Sequence, residues 1–441
     1  MEKVCVGIKK ETGHVDERRV VLTPDHVKKL IKEHDIAVIV QPSKLRIFKD
    51  AEYRAAGATI SSNLESCKVI LGVKEVPAKE LMADKTYLFF SHTIKGQKYN
   101  MGMLKQILKK KITLIDYELV KRDNGRRVVF FGDYAGYVGM INALWTFGKR
   151  LKWEGVENPF EELQQTCTYD SLAEIKKVIK NIGKKIKKEG LPNQLAPLVV
   201  GFTGFGRVSK ASQEIIRLLP SINIPADELG EFYRKGKFSN GVIYIVEFKK
   251  SDMLMKKEGG NFDSYLYRKY PDQFTSKFEK FIPYLSIIVN GIYWEPQFPR
   301  LVTLSYMKQF YEFNPNPKLR VIADISCDIS GSIELTTKST TSENPVYVYE
   351  PLTDKVTDGV EGFGPVILAQ DKLPIELPKE SSQSFGNALL QYIPQLARAD
   401  YSKERLELNI PKVFKKAVIA HQGELAKRYH HLHAYIDKKE R

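Results

Sequence analysis

The sequence predicts an α/β protein with parallel sheets in two domains, and three observations carry that prediction. The chain has 441 residues, more than one ordinary core organises, so two domains, consecutive or interleaved, are expected. Short apolar runs alternate with amphipathic helical text, the order that a parallel sheet with helical crossovers requires. A second such alternation starts at "LAPLVVGFTGFGRVSKASQEIIRLL", behind a Gly-x-Gly turn.

In the first part, "KVCVGIKKE", "IAVIVQ", "KVILGVK", "TYLFFSH" and "ITLIDYE" read as buried strands, and "TPDHVKKLIKEH" and "NMGMLKQILKKK" between some of them as helices. Thr23 suits an N-cap and Pro24 the first helical position. "GDYAGYVGMINALWTFGKRL" then reads as a long helix leaving the first domain. The second part runs through the strands "GVIYIVEF" and "LSIIVNGIYW" to "LRVIADIS", with "LPSINIPADELG" between as a loop. Residues 336 to 441 hold strand and helix text ("PVYVYE", "ESSQSFGNALLQYIPQLARA") but no nucleotide signature.

The net charge of +16 sits largely in lysine-rich helical text such as "KKVIKNIGKKIKKEG" at 176 to 190. Without interleaved aromatics or a nucleic-acid-binding motif, such a run reads as a solvated face, so no nucleic-acid partner is expected. Small anionic substrates gain from the same field. Cys5, Cys67, Cys167 and Cys327 are scattered with no C-x-x-C pair, which reads as a reducing compartment without structural zinc. No apolar run approaches membrane-spanning length and the first strand text begins almost at once, so a cytoplasmic protein with no membrane partner is expected. His430 and His433 of "RYHHLH" share a helical face but lack acids or cysteines, and no metal is expected.

The Gly-x-Gly turn carries chemistry. Gly204 makes the tight turn, Gly206 lets backbone N–H groups approach a pyrophosphate, and the helix opening at Arg207 and Val208 stabilises its charge. Ser209 stands at the third fingerprint position. The acid that holds an adenosine ribose ends the next strand, which places Glu247 there and favours NADH; Lys249 and Lys250 behind it would hold a 2′-phosphate and favour NADPH.

Upstream, one strand ends with Lys74 and Glu75 and the next with His92. Neighbouring parallel strands bring their C-terminal ends to one rim, where such folds bind ligands. A lysine and a histidine there provide two proton carriers whose repulsion and burial lower both pKa values, while Glu75 and Glu118 oppose that shift. Arg18 and Arg19, and Arg126 and Arg127, precede a helix and a strand, and arginine suits bidentate carboxylate recognition.

"LGVKEVP", "KTYLFFSHTIKGQKYNMGML", "LIDYELV", "GRRVVFFGDYAGYVGMINAL", "FTGFGRVSKASQ", "IVNGIYWEPQFPRLVT", "ADISCDISGSIELTTKSTT" and "AQDKLPIELPKESSQSFGNAL" follow one another here. This text resembles lysine-ketoglutarate reductase, the N-terminal half of aminoadipic semialdehyde synthase, and is similar to lysine-forming saccharopine dehydrogenase. More distantly it resembles alanine dehydrogenase and the transhydrogenase nucleotide domains. The resemblance implies two Rossmann-like domains separated by an active-site cleft: a discontinuous substrate domain from 1–135 and 336–441, and a dinucleotide-binding domain at 136–335. It implies an oxidoreductase that joins L-lysine to 2-oxoglutarate and reduces the imine to saccharopine. Lys74 and His92 would be the acid–base pair, with Glu75 and Glu118 as tuning carboxylates. Arg19, Arg127 and Lys95 would hold substrate. Gly204, Gly206, Arg207, Val208, Glu247, Asn290, Asp324 and Asp328 would line the cofactor. The cofactor would be NADP(H), with NAD(H) the alternative set by Glu247, and no metal. The chain is expected to carry the reductase half alone, with a separate saccharopine-oxidising enzyme as a partner. The rival readings are an amino acid dehydrogenase that uses ammonia, as alanine dehydrogenase does, and a scaffold that kept the fold without turnover.

Overall fold

The computed structural model describes residues 4–436. Its strands, in chain order, are β1 (Cys5–Ile8), β2 (Ala37–Val40), β3 (Thr59–Ile60), β4 (Val69–Leu71), β5 (Thr86–Phe89), β6 (Thr113–Asp116), β7 (Leu198–Thr203), β8 (Ser221–Asn223), β9 (Ile243–Phe248), β10 (Leu254–Lys256), β11 (Phe274–Ser276), β12 (Ile287–Asn290), β13 (Val321–Asp324), β14 (Val346–Glu350), β15 (Lys355–Asp358), β16 (Val366–Leu368), β17 (Val418–His421) and β18 (Glu424–Leu425). Apart from the β10–β11 ribbon, they form two eight-stranded sheets. The chain divides into two compact units, Met1–Phe130 with Pro378–Arg441, and Phe131–Leu377.

In the first unit the sheet runs β18-β17-β6-β5-β4-β1-β2-β3. β3 through β6 are parallel along that order, as the alternation of strands and helices required. β1, β4, β5 and β6 are buried along their whole length, which is why they read as unbroken apolar runs and not as alternating ones. Helix Pro24–His34 begins where Thr23 is extended, and the His26 ring accepts the Thr23 backbone N–H at 3.1 Å. Val27 and Leu30 bury its apolar stripe. Cys5 and Cys67, widely separated in sequence, are brought side by side with Cα atoms 4.7 Å apart, a proximity that spacing alone did not reveal.

In the second unit the order is β15-β14-β16-β13-β12-β7-β9-β8, with β7 buried throughout and β8 to β16 parallel across it. The 22-residue helix Gly132–Trp153 belongs to this unit. It lies so close to helix Arg207–Ile216 that a Cβ at Gly136 would overlap the Val208 carbonyl and stand 2.7 Å from Ala211 Cβ.

Three sequence expectations change. The sheets are not wholly parallel: β17 with β18, and β14 with β15, are antiparallel. Their connections are too short for a crossover, and Gln422 (φ 49°) and Gly423 (φ 91°) supply the two positive φ values of a type I′ turn. Residues 336–377, assigned from sequence to the outer domain, lie in the second unit, because β16 pairs with β13 and β14 with β16. The stretch read as a loop before β9 contains β8, an edge strand with Ile222 51% exposed and no apolar periodicity to announce it.

Candidate active site

The first sheet turns back on itself at β1: β2 and β3 lie to one side, β4, β5 and β6 to the other. Such a switch point opens a crevice at the carboxyl ends of the strands. The segments after β1, β4, β5 and β6 carry Glu11 to Arg19, Lys74 and Glu75, His92, and Glu118.

Glu75 is the hub of that rim. His92 Nδ1 lies 2.5 Å from Glu75 Oε1, and His14 Nε2 lies 2.9 Å from Glu75 Oε2. Asn100 donates to the Ser91 carbonyl at 3.0 Å and reaches Glu75 Oε1 at 3.4 Å. Burial works against ionisation of Glu75, but the bonds from His14 and His92 outweigh it and hold the carboxyl well below its usual range. His92 itself has φ +46°, a left-handed turn rare outside glycine, and its ring stacks on Phe90 at 6.3 Å. Phe90, Tyr117 and Phe385 form an aromatic cluster behind it.

Asp116 buttresses the His92 turn from below. It is fully buried and accepts the Ser91 N–H at 3.2 Å, the Ser91 hydroxyl at 2.5 Å and the Glu118 N–H at 2.8 Å. Burial pushes its carboxyl up to about 6, against those bonds. Glu11 accepts the N–H groups of Val73 and Lys74 at 2.7 and 3.0 Å, and burial pushes it up to about 7. Both carboxylates act on loop backbone, and so set where Lys74 and His92 stand.

The other sequence candidates in this unit divide. Glu118 pairs with Arg127 at 2.9 Å, with Arg127 partly exposed on the rim. Arg19 is buried and clasped by Glu17 through bonds of 2.8 and 2.6 Å. Lys95 is exposed, its N–H donating to Gln97. The side chain set against the His92 ring is thus Glu75, and the Lys74 peptide N–H rests on Glu11.

In the second unit the switch point falls between β7 and β12, and the Gly-x-Gly turn leaves β7 there. Gly204 has φ +87°, and a Cβ on it would meet the Gly291 carbonyl oxygen at 3.2 Å. Gly206 caps helix Arg207–Ile216 with ordinary extended backbone, and a Cβ on it would meet nothing within 4 Å. A glycine that neither strain nor packing demands leaves room for another group against the backbone, so this turn fits a pyrophosphate at a helix N-terminus. Ser209, in the third position, is buried against the turn. Glu247 pairs with Phe202 across β9 and β7, at the strand end where a ribose would lie. Among the described residues no hydrogen bond or ion pair is found on its carboxylate, whereas Lys250 lies 5.0 Å over the Tyr267 ring.

Arg207 pairs with Asp133, partly exposed, and Val208 is half-buried at the first turn of the helix. Asn290 is fully buried: it accepts from Thr203 at 2.6 Å and donates to Asp324 at 2.8 Å and Ser332 at 2.9 Å, with Ser326 Oγ 3.1 Å from the same nitrogen. Asp324, also fully buried, accepts from Ser326 and Thr336 at 2.6 Å. These two lock the β7, β12 and β13 ends together from inside the fold, and Asp328 lies half-buried on the loop beyond. His14, Glu11, Asn100 and Asp116 were not singled out from sequence. The signal available was their place at the end of, directly after, or between the strands already identified.

Two family models match: the alanine dehydrogenase/PNT N-terminal domain over residues 7–138 and the C-terminal domain over 296–428. The chain is 36% identical to the alpha-aminoadipic semialdehyde synthase, mitochondrial, of Bos taurus, over 99% of this chain and 48% of that one, so it spans about half that relative's length. It is 28% identical to the saccharopine dehydrogenase [NAD(+), L-lysine-forming] of Neurospora crassa, over 88% of this chain and 90% of that one. Among solved structures, an L-alanine dehydrogenase superposes with a TM-score of 0.62 at 16% identity, covering 98% of this chain and 99% of that one. The chain therefore belongs to the alanine dehydrogenase/PNT family, beside the alpha-aminoadipic semialdehyde synthases and the lysine-forming saccharopine dehydrogenases.

Proposed function

We propose that this protein joins L-lysine to 2-oxoglutarate and reduces the resulting imine to saccharopine, reversibly. The observation that carries the proposal is the Glu75–His92 contact at the switch-point rim, in a chain whose similarity to the synthases runs from end to end. Condensation needs a neutral ε-amine, then a carbinolamine that loses water, and each stage moves a proton. With Nδ1 on Glu75, the His92 ring keeps Nε2 to accept and return those protons, a task worth about 10²- to 10⁴-fold. Arg127 on the rim offers a fork for a substrate carboxylate, whereas the Arg19 guanidinium is buried against Glu17. Lys74, on the same loop as Glu75, is the second proton carrier.

A nicotinamide dinucleotide would supply hydride to the imine carbon. The residues present fit it: the open face of Gly206 and the helix N-terminus would hold the pyrophosphate, and Glu247 the adenosine ribose. An unengaged carboxylate at that strand end favours a ribose diol over a 2′-phosphate, so we assign NAD(H) in preference to the NADP(H) that the family resemblance suggested. The test is the absorbance of the reduced nicotinamide with lysine plus 2-oxoglutarate, run with NADH and NADPH, beside pyruvate plus ammonium. Consumption of NADH with lysine and 2-oxoglutarate is expected. Consumption with pyruvate and ammonium alone would replace the proposal with an amino acid dehydrogenase.

A further inference from the structure

We propose that His14 is a positioning residue of the acid–base centre: it grips the Glu75 oxygen that His92 leaves free, and thereby fixes the carboxylate plane and the tautomer of His92. The inference rests on the reading of His92 as the proton carrier.

The two rings approach opposite oxygens of one carboxylate, at 2.9 Å for His14 and 2.5 Å for His92. An ionised carboxylate only accepts hydrogen bonds, so the ring nitrogen facing it must carry hydrogen in each histidine. His92 is thereby held as the Nδ1–H form, with Nε2 directed to chemistry. Glu75 stays ionised through neutral pH, because the hydrogen bonds to both histidines outweigh the penalty of its burial.

Held by one partner, a glutamate carboxylate turns about a broad terminal torsion. The second anchor removes that freedom. His14 reaches it because the loop after β1 lies flat on the β4 end at Gly13, where a Cβ would stand 3.2 Å from the Glu75 carbonyl oxygen. The bond from His14 also draws charge from Glu75, which weakens the hold of the carboxylate on the His92 proton. The charged groups on the surrounding segments include Lys9, Lys10, Glu11, Asp16, Glu17, Arg18 and Arg19 after β1, Lys74 after β4, Lys95 after β5, Asp116 at the end of β6 and Glu118 just beyond it.

The test compares His14→Ala and His14→Gln, the second retaining an N–H donor, in kcat and KM across pH. In parallel, the His92 ring is titrated by NMR in carbon-13-histidine protein without substrate. His14→Ala should lower kcat about tenfold, the scale of lost outer-shell partners, with KM nearly unchanged. The His92 midpoint and the matching limb of the rate profile should move to higher pH, and His14→Gln should recover most of kcat. Wild-type kcat in His14→Ala with an unmoved midpoint would overturn the proposal. If the wild-type protein consumes no reduced dinucleotide with lysine and 2-oxoglutarate, the proposed reaction fails. The midpoint shift then still decides whether His14 acts through Glu75.

Discussion

Gly206→Ala separates a nucleotide turn from a merely structural one. Gly206 lies at φ −73° and ψ −178°, which any residue adopts, and its added Cβ would meet no atom within 4 Å. Reduced freedom of the unfolded chain favours alanine by about 0.4–1 kcal/mol, and the weaker N-cap takes back a similar amount. Stability should thus stay within about 1 kcal/mol of wild type. A bound pyrophosphate, in contrast, would meet the methyl group. Blocking one charge-assisted N–H bond, worth about 1.5–3 kcal/mol, corresponds to roughly ten- to a hundredfold in Kd. Gly204→Ala is the control. It forces alanine to φ +87° and sets Cβ 3.1 Å from Ile292 Cγ2 and 3.2 Å from the Gly291 carbonyl oxygen, which costs about 1–3 kcal/mol of stability. The assay is NADH affinity by fluorescence titration beside Tm for both variants. Unchanged affinity in Gly206→Ala, or a Tm drop as large as that of Gly204→Ala, refutes the assignment of this turn.

His92→Gln should cut turnover about 10²- to 10⁴-fold while NADH affinity stays at the wild-type value; equal turnover would leave only the scaffold reading. Glu247→Gln should weaken NADH several-fold and NADPH little, read from the two Kd values, and an equal change in both would remove Glu247 from the ribose site. Asn290→Ala deletes the amide's bonds inside the β7–β12–β13 junction and leaves Thr203 and Asp324 without that partner, so unfolding of the second unit should ease by about 3 kcal/mol, measured in urea. Asp116 titrates near 6 when folded against about 3.8 ordinarily. Its raised pKa therefore favours the folded state below pH 4, and that contribution is lost as pH rises through about 6. Asp116→Asn should flatten the Tm profile between pH 4 and 7, and an unchanged slope would place the titration elsewhere.

The sequence alone determined the periodic parts of this protein. Unbroken apolar runs such as "TYLFF" can only be buried on both faces, and their alternation with amphipathic helices leaves a parallel sheet as the economical way to pair them. The glycine turn, Glu247 and the His92 rim were legible for the same reason: each stands at a fixed offset from a strand end. The tertiary structure decided what depends on partners distant in the chain. His14 and Glu75 are brought together only because β1 and β4 are neighbours. Asn290 and Asp324 occupy strand ends as a ligand-binding pair would, yet burial turns them inward to hold strands together. Residues 336–377 joined the second sheet because an exposed edge of β13 accepts β16 wherever β16 lies in sequence. Local pattern fixes which residues are buried; hydrogen-bond satisfaction across the assembled core fixes which of them touch.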